Sequence, residues 1–308
     1  MARLILNGKA AQLPDVRDAV FARREAGDTL AVRATWEQGD AARLAEQAGH
    51  EGVTRIIAGG GDGTVNEVVN GLMRLPPERR PELGILPLGS ANDLATSLGL
   101  PLDLEASLRA AVHLPPRRVD VPRLDDWHFL NMATGGFGAE ITSSTPKTLK
   151  RLLGGGAYSL IGAFKAWGYN LYPGRLRWEG GERHADLFLL AMGNGRQSGG
   201  GQQLAPHATM DDGLLDVLLV RDFASLAQLR IMRNELQSRP ARGTYVDTFR
   251  TPWLAFEGER ELPITLDGEP ARRYGFRVDI DPGALSLAVP PDCALLASLW
   301  REGGGGGD

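Results

Sequence analysis

A chain of 308 residues, 43% apolar and 23% charged, can bury two hydrophobic cores and has the composition of an ordinary globular protein. Its formal net charge of −4 excludes a global positive field toward nucleic acid or anionic membrane, so any such attraction is local. One cysteine, Cys293, excludes an internal disulfide and reads as a small packed hydrophobe in a reducing cytosol. No apolar run reaches the ~18 residues a bilayer span needs, and the apolar run at Met1–Gly8 is too short for a secretory signal. The expectation is a cytoplasmic protein that meets any membrane from the water side, transiently at its inner face.

In chain order, Arg3–Asn7 reads as a short strand and Asp15–Ala26 as a helix. Leu30–Arg33 is a second strand, and Asp40–Gly49 an Ala-rich helix with Gly49 as its stop. Arg55–Ala58 is a third strand, followed by glycines and a helix from Thr64 to about Met73. Gly84–Pro87 is a fourth, leading through Gly89 and Ser90 into a short helix. Strands alternating with helices bury a parallel sheet between helical layers, so residues 1–131 form an α/β domain with helices on both faces.

Beyond Asn131 the texture changes. Ala185–Met192, Leu214–Val220, Ile264–Leu266 and Phe276–Ile280 are short apolar or alternating runs separated by Gly, Pro, Asp and Asn. That pattern predicts a largely antiparallel, sandwich-like β domain over residues 132–300, whose last segment returns to the first domain. Residues 301–308 form a flexible glycine-rich tail.

The most informative stretch is RIIAGGGDGTVNEVVNGL, Arg55 to Leu72. A buried strand ends in Gly59, Gly60, Gly61, Asp62 and Gly63, and a helix follows. Glycines permit positive φ and close approach of a ligand to the main chain, while free N–H groups and the helix N-terminus attract anions. Pyrophosphate is the natural occupant. There is no G-x-x-x-x-G-K-[ST], which excludes a P-loop NTPase. Thr64 stands where a dinucleotide fingerprint wants a small residue, and no acid is placed about 20 residues on, which disfavours an oxidoreductase. Asp62 puts a carboxylate beside the phosphates, so it would act through Mg²⁺ or a water network. In the second loop, ILPLGSANDLATSLG, Gly89, Ser90 and Asn92 can line a nucleotide, and Asp93 reads equally as a helix cap.

With GGGDGTVNE and LPLGSANDLA, the chain resembles the diacylglycerol-kinase catalytic family, whose loop is shared with NAD kinases and, more distantly, phosphofructokinases. TWEQGDAARLA (Thr35–Ala45), NMATGGFGAEIT (Asn131–Thr142), GNGRQSGGGQQLAP (Gly193–Pro206), DDGLLDV (Asp211–Val217) and LDGEP (Leu266–Pro270) narrow the resemblance to its YegS-type bacterial lipid kinases, over nearly the whole chain. The resemblance implies ATP held by Thr35, by Gly61, Asp62, Gly63, Thr64, Val65, Asn66 and Glu67, and by Ser90. It implies Glu269 as proton acceptor. It also implies a Mg²⁺ site, with Ca²⁺ as the other candidate, made by Asp212 and the carbonyls of Thr209 and Leu214. The usual NDGLL reads DDGLL here, so Asp211 adds a carboxylate. Lys9, in ILNGKAA, receives no role.

Phosphoryl transfer needs neutralised phosphate charge, an in-line hydroxyl and an acceptor for its proton. Glu269 lies in a tight turn after an apolar strand, and two readings stand: a base at a cleft edge or an acid facing solvent. Asp267 is expected to brace that turn. The Asp212 site likewise reads as a hard-cation cage or an ordinary turn. Between Lys147 and Trp178, Lys147, Lys150, Arg151, Lys165, Arg175 and Arg177 mix with Tyr158, Phe164, Trp167, Tyr169 and Tyr172, which suits either a membrane interface or a core helix with solvated charges. The expectation is therefore an ATP-dependent kinase acting on a lipid hydroxyl, phosphatidylglycerol- or diacylglycerol-like, with an NAD kinase or a silent nucleotide- or lipid-binding protein as alternatives. Nucleic acid is not an expected partner.

Overall fold

The computed structural model describes residues 1–137, 139, 170–223 and 225–297. Strands β1 (Ala2–Leu6), β2 (Leu30–Ala34), β3 (Arg55–Gly60) and β4 (Glu82–Pro87) lie in the order β4-β3-β1-β2, all parallel. Alternation sorts their side chains onto two faces. Leu4, Leu6, Ile57 and Leu86 meet helices α1 (Pro14–Glu25) and α5 (Leu104–His113) on one side. Ile5, Ile56, Ala58, Leu83 and Ile85 meet α2 (Asp40–His50), α3 (Asp62–Met73) and α4 (Asp93–Ser97) on the other. Each helix follows from its own residues. In α1, Pro14 starts the first turn and Val16, Ala19 and Val20 fall on the buried face. For α5, Asp103 accepts the Ala106 N–H at 2.9 Å.

Gly49 does not stop α2, contrary to expectation. The helix runs to His50, and Gly49 is an internal contact: a β-carbon there would lie 2.2 Å from Leu75 Cδ1. The left-handed glycine beyond the helix is Gly52, at φ 74°.

After α5, β5 (Pro116–Leu124) and β6 (Trp127–His128) make a short hairpin, and β5 pairs antiparallel with the last long strand. The remaining strands are antiparallel to one another, with β15 also pairing parallel to β4: β7 (Met132–Gly136), β8 (Tyr172–Trp178), β9 (Gly181–Gly193), β12 (Leu215–Arg221), β13 (Val246–Thr251), β14 (Trp253–Leu266) and β15 (Glu269–Ala288). Two-residue strands β10 (Gln197–Ser198) and β11 (Gln202–Gln203) pair separately. Long strands serve two layers. The start of β14 pairs with β8 and its end with β7, with a register shift between Glu257 and Leu262. β9 does the same, pairing first with β8 and then with β7. Such irregularities bend a strand from one layer into the next. The enclosed core is Phe129, Leu176, Leu190, Met192, Val217, Leu219, Leu254, Phe256 and Ile264, all nearly inaccessible. The opposite face of β9 and β12 is covered by α6 (Leu226–Ser238), which starts with a Ser225–Gln228 capping box.

The two halves meet through β15. Its end pairs with β4 at Leu287–Leu83, and Leu285, Leu287, Val289, Cys293, Leu295 and Leu296 are buried with the α2–α3 face of the parallel sheet. Cys293 is 2% exposed, and burial raises its thiol above the ordinary range, as a packed hydrophobe requires.

Candidate active site

The carboxyl ends of β1 to β4 finish level: Leu6 pairs with Ala34 and with Gly59, and Gly60 with Pro87. This is the edge at which open α/β sheets take ligands. The chain leaves β3 through Gly61 straight into α3, which begins at Asp62, two residues before the expected Thr64. The amides of Thr64 and Val65 already bond the Gly61 carbonyl, at 3.0 and 3.2 Å. Those of Asp62 and Gly63 precede any helical acceptor and point along the axis, where the helix dipole favours an anion.

None of the loop glycines has a positive φ, so they are not there for left-handed backbone. They are there for closeness. A β-carbon on Gly60 would stand 2.3 Å from Thr64 Oγ1 and 2.8 Å from Asn7 Nδ2, and one on Gly61 would stand 3.2 Å from Gly89 Cα. The two glycine loops therefore abut, and Asn7, at the end of β1, reaches the same loop. Sequence reading missed Asn7; the signal was a polar residue directly after an apolar strand.

Glu269 arrives from the other half of the molecule. The β14–β15 hairpin turns on Asp267 and Gly268, with φ 50° and 95°, the two left-handed residues of a tight two-residue loop. Asp267 braces the turn as expected. Its carboxylate accepts from the N–H groups of Leu130 (2.7 Å), Asn131 (2.9 Å) and Met132 (2.9 Å) and from Asn66 Nδ2 (3.1 Å). Burial pushes its pKa up, and those four donors oppose the shift. Thus anchored, the turn sets Glu269 over the first turn of α3: a β-carbon on Gly63 would lie 3.1 Å from Glu269 Oε1. Burial first, then the nearby Glu67 carboxylate, raises the Glu269 pKa. A cleft of about 380 Å³ opens beside it, lined by Gln38, Gly39, Glu67, Trp127, Arg273 and others.

The remaining loop residues divide. Asp62 is raised by burial and then by the charges of Asp93 and Asp267, while the N–H groups of Leu94 and Asp93 donate to it. It thereby ties α3 to the start of α4. Asp93 is neither a cap nor a ligand: it is 5% exposed and accepts the Gly200 and Gly201 amides, each at 2.8 Å. Asn92 is also committed, its side chain bonding both the N–H and the carbonyl of Gly89. Ser90 beside it is exposed at the strand edge.

At three of the expected nucleotide contacts the side chain is engaged within the protein. Val65 is buried in the core at 4% exposure. Asn66, at 1%, bonds the His128 carbonyl, Asp267 and the Trp127 indole N–H, bolting the β5–β6 hairpin to α3. Glu67 accepts the Gly39 and Ala41 amides at 3.1 and 3.2 Å, capping α2. That contact orders the Thr35–Asp40 loop. Thr35 itself follows β2, its amide on the Leu6 carbonyl at 2.9 Å and its own carbonyl against Gly8, at the same sheet edge.

The Asp212 turn lies apart from this cleft, on the approach to β12. Leu214 N–H donates to Asp212 Oδ1 at 3.0 Å, while Oδ2 accepts from the Thr209 hydroxyl and the Arg250 guanidinium. Asp211 Oδ1 is taken by the Ala297 amide at 2.7 Å. A hard cation needs converging lone pairs, and at the Asp212 and Asp211 carboxylates hydrogens converge instead, so these carboxylates as placed do not fit one. Among the described residues no group of three or more His, Cys, Asp or Glu could hold a metal.

Of the basic-aromatic segment, Lys147, Lys150, Arg151, Tyr158, Phe164, Lys165, Trp167 and Tyr169 lie outside the described residues. In the described part Tyr172 is buried, and Arg175 and Arg177 pair with Glu182 and Glu257. No described helix is long and apolar enough to cross a membrane.

A glycine-lined helix start at parallel strand ends, met by a carboxylate from an antiparallel half, is the arrangement a two-domain phosphotransferase requires. Residues 1–124 match the diacylglycerol kinase catalytic domain, and residues 132–289 match the YegS C-terminal NAD kinase beta sandwich-like domain. The chain belongs to the YegS-type lipid kinases of the diacylglycerol kinase catalytic family. A Chromohalobacter salexigens protein named "Probable lipid kinase YegS-like" is 60% identical over 294 residues, covering 96% of this chain and 94% of the relative. A Shewanella frigidimarina protein of the same name is 39% identical over 303 residues, covering 98% of each. Among solved structures, a Bacillus anthracis diacylglycerol kinase superposes with a TM-score of 0.70 at 24% identity, covering 95% of this chain and 98% of the other, a likeness of fold.

Proposed function

We propose that this kinase transfers the γ-phosphoryl group of ATP to a hydroxyl of a membrane lipid, with Glu269 as general base. The acceptor is phosphatidylglycerol- or diacylglycerol-like, and the YegS-type resemblance puts phosphatidylglycerol first. One observation carries the reading: a β-carbon on Gly63 would lie 3.1 Å from Glu269 Oε1, which sets the proton acceptor beside the first turn of α3 and its free amides.

In this reading the loop from Gly61 to Thr64 holds the phosphates, through the amides of Gly61, Asp62 and Gly63 and the Thr64 hydroxyl, and a β-carbon at Gly60, Gly61 or Gly63 would fill the cradle they need. Ser90 and Thr35 hold the nucleotide from either side along the strand edge. Val65, Asn66 and Glu67 act indirectly: Val65 by packing α3, Asn66 by holding the Asp267 turn, Glu67 by ordering the Thr35 loop. Mg²⁺ would arrive with ATP and supply neutralisation of the phosphate charge; Asp62 is the loop carboxylate that would meet it, while also accepting the Asp93 and Leu94 amides. The lipid oxygen attacks the γ-phosphorus, its proton passes to a Glu269 oxygen, and the bond to ADP breaks. A carboxylate raised by burial and by Glu67 is a stronger base than an ordinary one, which suits this step. Since the acceptor sits in a bilayer, the reading also requires peripheral contact with the membrane surface.

Glu269→Gln tests it. Turnover on lipid vesicles falls by about 10²–10⁴-fold, the usual contribution of general-base catalysis, while calorimetric Mg·ATP affinity holds. Weakened nucleotide binding with normal kcat would remove Glu269 from that role.

A further inference from the structure

We propose that Arg250 is the built-in cation of the Asp212 turn, taking the place of the divalent ion that the family pattern implies there. The register of β12 and β13 sets Arg250 directly across from Asp216. From that position its guanidinium spans two carboxylates. Nη2 donates to Asp212 Oδ2 and lies 3.3 Å from Thr209 Oγ1, while Nε donates to Asp216 Oδ2 at 3.1 Å. The planar fork of an arginine suits such bridging, and it keeps its charge at any working pH.

The carboxylate oxygens a metal would take at this turn are already engaged. Both oxygens of Asp212 accept hydrogens, from Leu214, Thr209 and Arg250. The other nearby carboxylates serve the backbone: Asp120 accepts the Gly213 and Gly283 amides, each at 2.7 Å, and Asp211 the Ala297 amide. A divalent ion at Asp212 would have to evict the guanidinium and then stand beside a retained positive charge. Arg250 is also the only part of the cluster well open to water, its side chain 43% exposed against 17% for Asp212 and 13% for Asp216 among the described residues. Removing it therefore uncovers two carboxylates without opening the core. The consequence is a kinase whose metal requirement is that of Mg·ATP alone, with no second, regulatory site at this turn.

Mn²⁺ binding to the nucleotide-free full chain, followed by electron paramagnetic resonance, tests this independently of any phosphoryl transfer. Wild type and Asp212→Asn take up the same amount of Mn²⁺, because neither has a site at the turn. Arg250→Ala gains about one equivalent, bound roughly tenfold or more tighter than anything Asp212-dependent in wild type, and Arg250→Ala/Asp212→Asn loses it. Arg250→Met, which keeps the apolar stem, gives the same result if the alanine variant melts early. Asp212-dependent uptake by wild type overturns the proposal, and so does failure of both folded Arg250 variants to gain a site.

Discussion

Gly63→Ala separates what this loop does for stability from what it does for catalysis. Gly63 is the second residue of α3 and its φ is not positive, so alanine fits the backbone. Replacing glycine within a helix gains about 0.5–1 kcal/mol. The new methyl lies 3.1 Å from Glu269 Oε1, the end of a half-buried side chain that can give by a few tenths of an ångström. Net stability should rise slightly, by about 1–3 °C in Tm. Catalysis should suffer, because the methyl occupies the space between the base and the phosphate amides, and displacement of reacting groups by up to an ångström costs about 10²-fold. The assay is lipid phosphorylation with matched thermal melts. Gly63→Ala with wild-type kcat/KM would refute the placement of phosphates and base on either side of Gly63. Gly49→Ala supplies the contrast: the same exchange in α2 pushes a methyl to 2.2 Å from Leu75 Cδ1 and 3.0 Å from the Arg79 carbonyl, so it should destabilise by about 1–3 kcal/mol.

Asp267→Ala should cost about 3 kcal/mol or more in chemical denaturation, since it strands three backbone N–H groups and the Asn66 amide, each loss being about 1–3 kcal/mol. A change below about 1 kcal/mol would contradict the bracing role assigned to those bonds. The acid limb of the kcat profile should lie above the ordinary glutamate range, because Glu269 must be ionised to accept a proton and its pKa is raised. Glu67→Gln keeps an acceptor for the Gly39 and Ala41 amides but removes a like charge, so the limb should move to lower pH without vanishing into the ordinary range, burial being the larger cause. An unmoved or rising limb would show that Glu269 does not set it.

Much of the fold was legible because local and global preferences agree. Short apolar runs at β1, β3 and β4, alternating with helix signals and glycine punctuation, all indicated a parallel sheet, and each strand was located within two residues of its observed ends. The long bent strands were seen only in part. Ile264–Leu266 and Phe276–Ile280 are fragments of β14 and β15, whose intervening residues pass between layers at the bulges and lose a simple alternation. Helices α5 and α6 were overlooked although Asp103 and Ser225 cap them. At the site, Glu269 could be assigned through the family pattern, but its distance from Gly63 depends on Asp267 binding a segment 135 to 137 residues away, which no local rule reveals. Gly49 and Asp93 misled for one reason: their commonest roles, stop and cap, are local, whereas here they make contacts with Leu75 and with Gly200 and Gly201. Arg250 carries no motif; only the pairing of β13 with β12 brings it to Asp212.

The central claim is that a nucleotide held at the head of α3 delivers phosphate to an alcohol beside Glu269. The most direct measurement is γ-labelled ATP offered with vesicles of phosphatidylglycerol, diacylglycerol or a sphingoid base, with NAD in a parallel reaction. The expected product is a labelled lipid, phosphatidylglycerol giving the strongest signal. Label in NAD, or none in any lipid while Mg·ATP binds, would contradict the account.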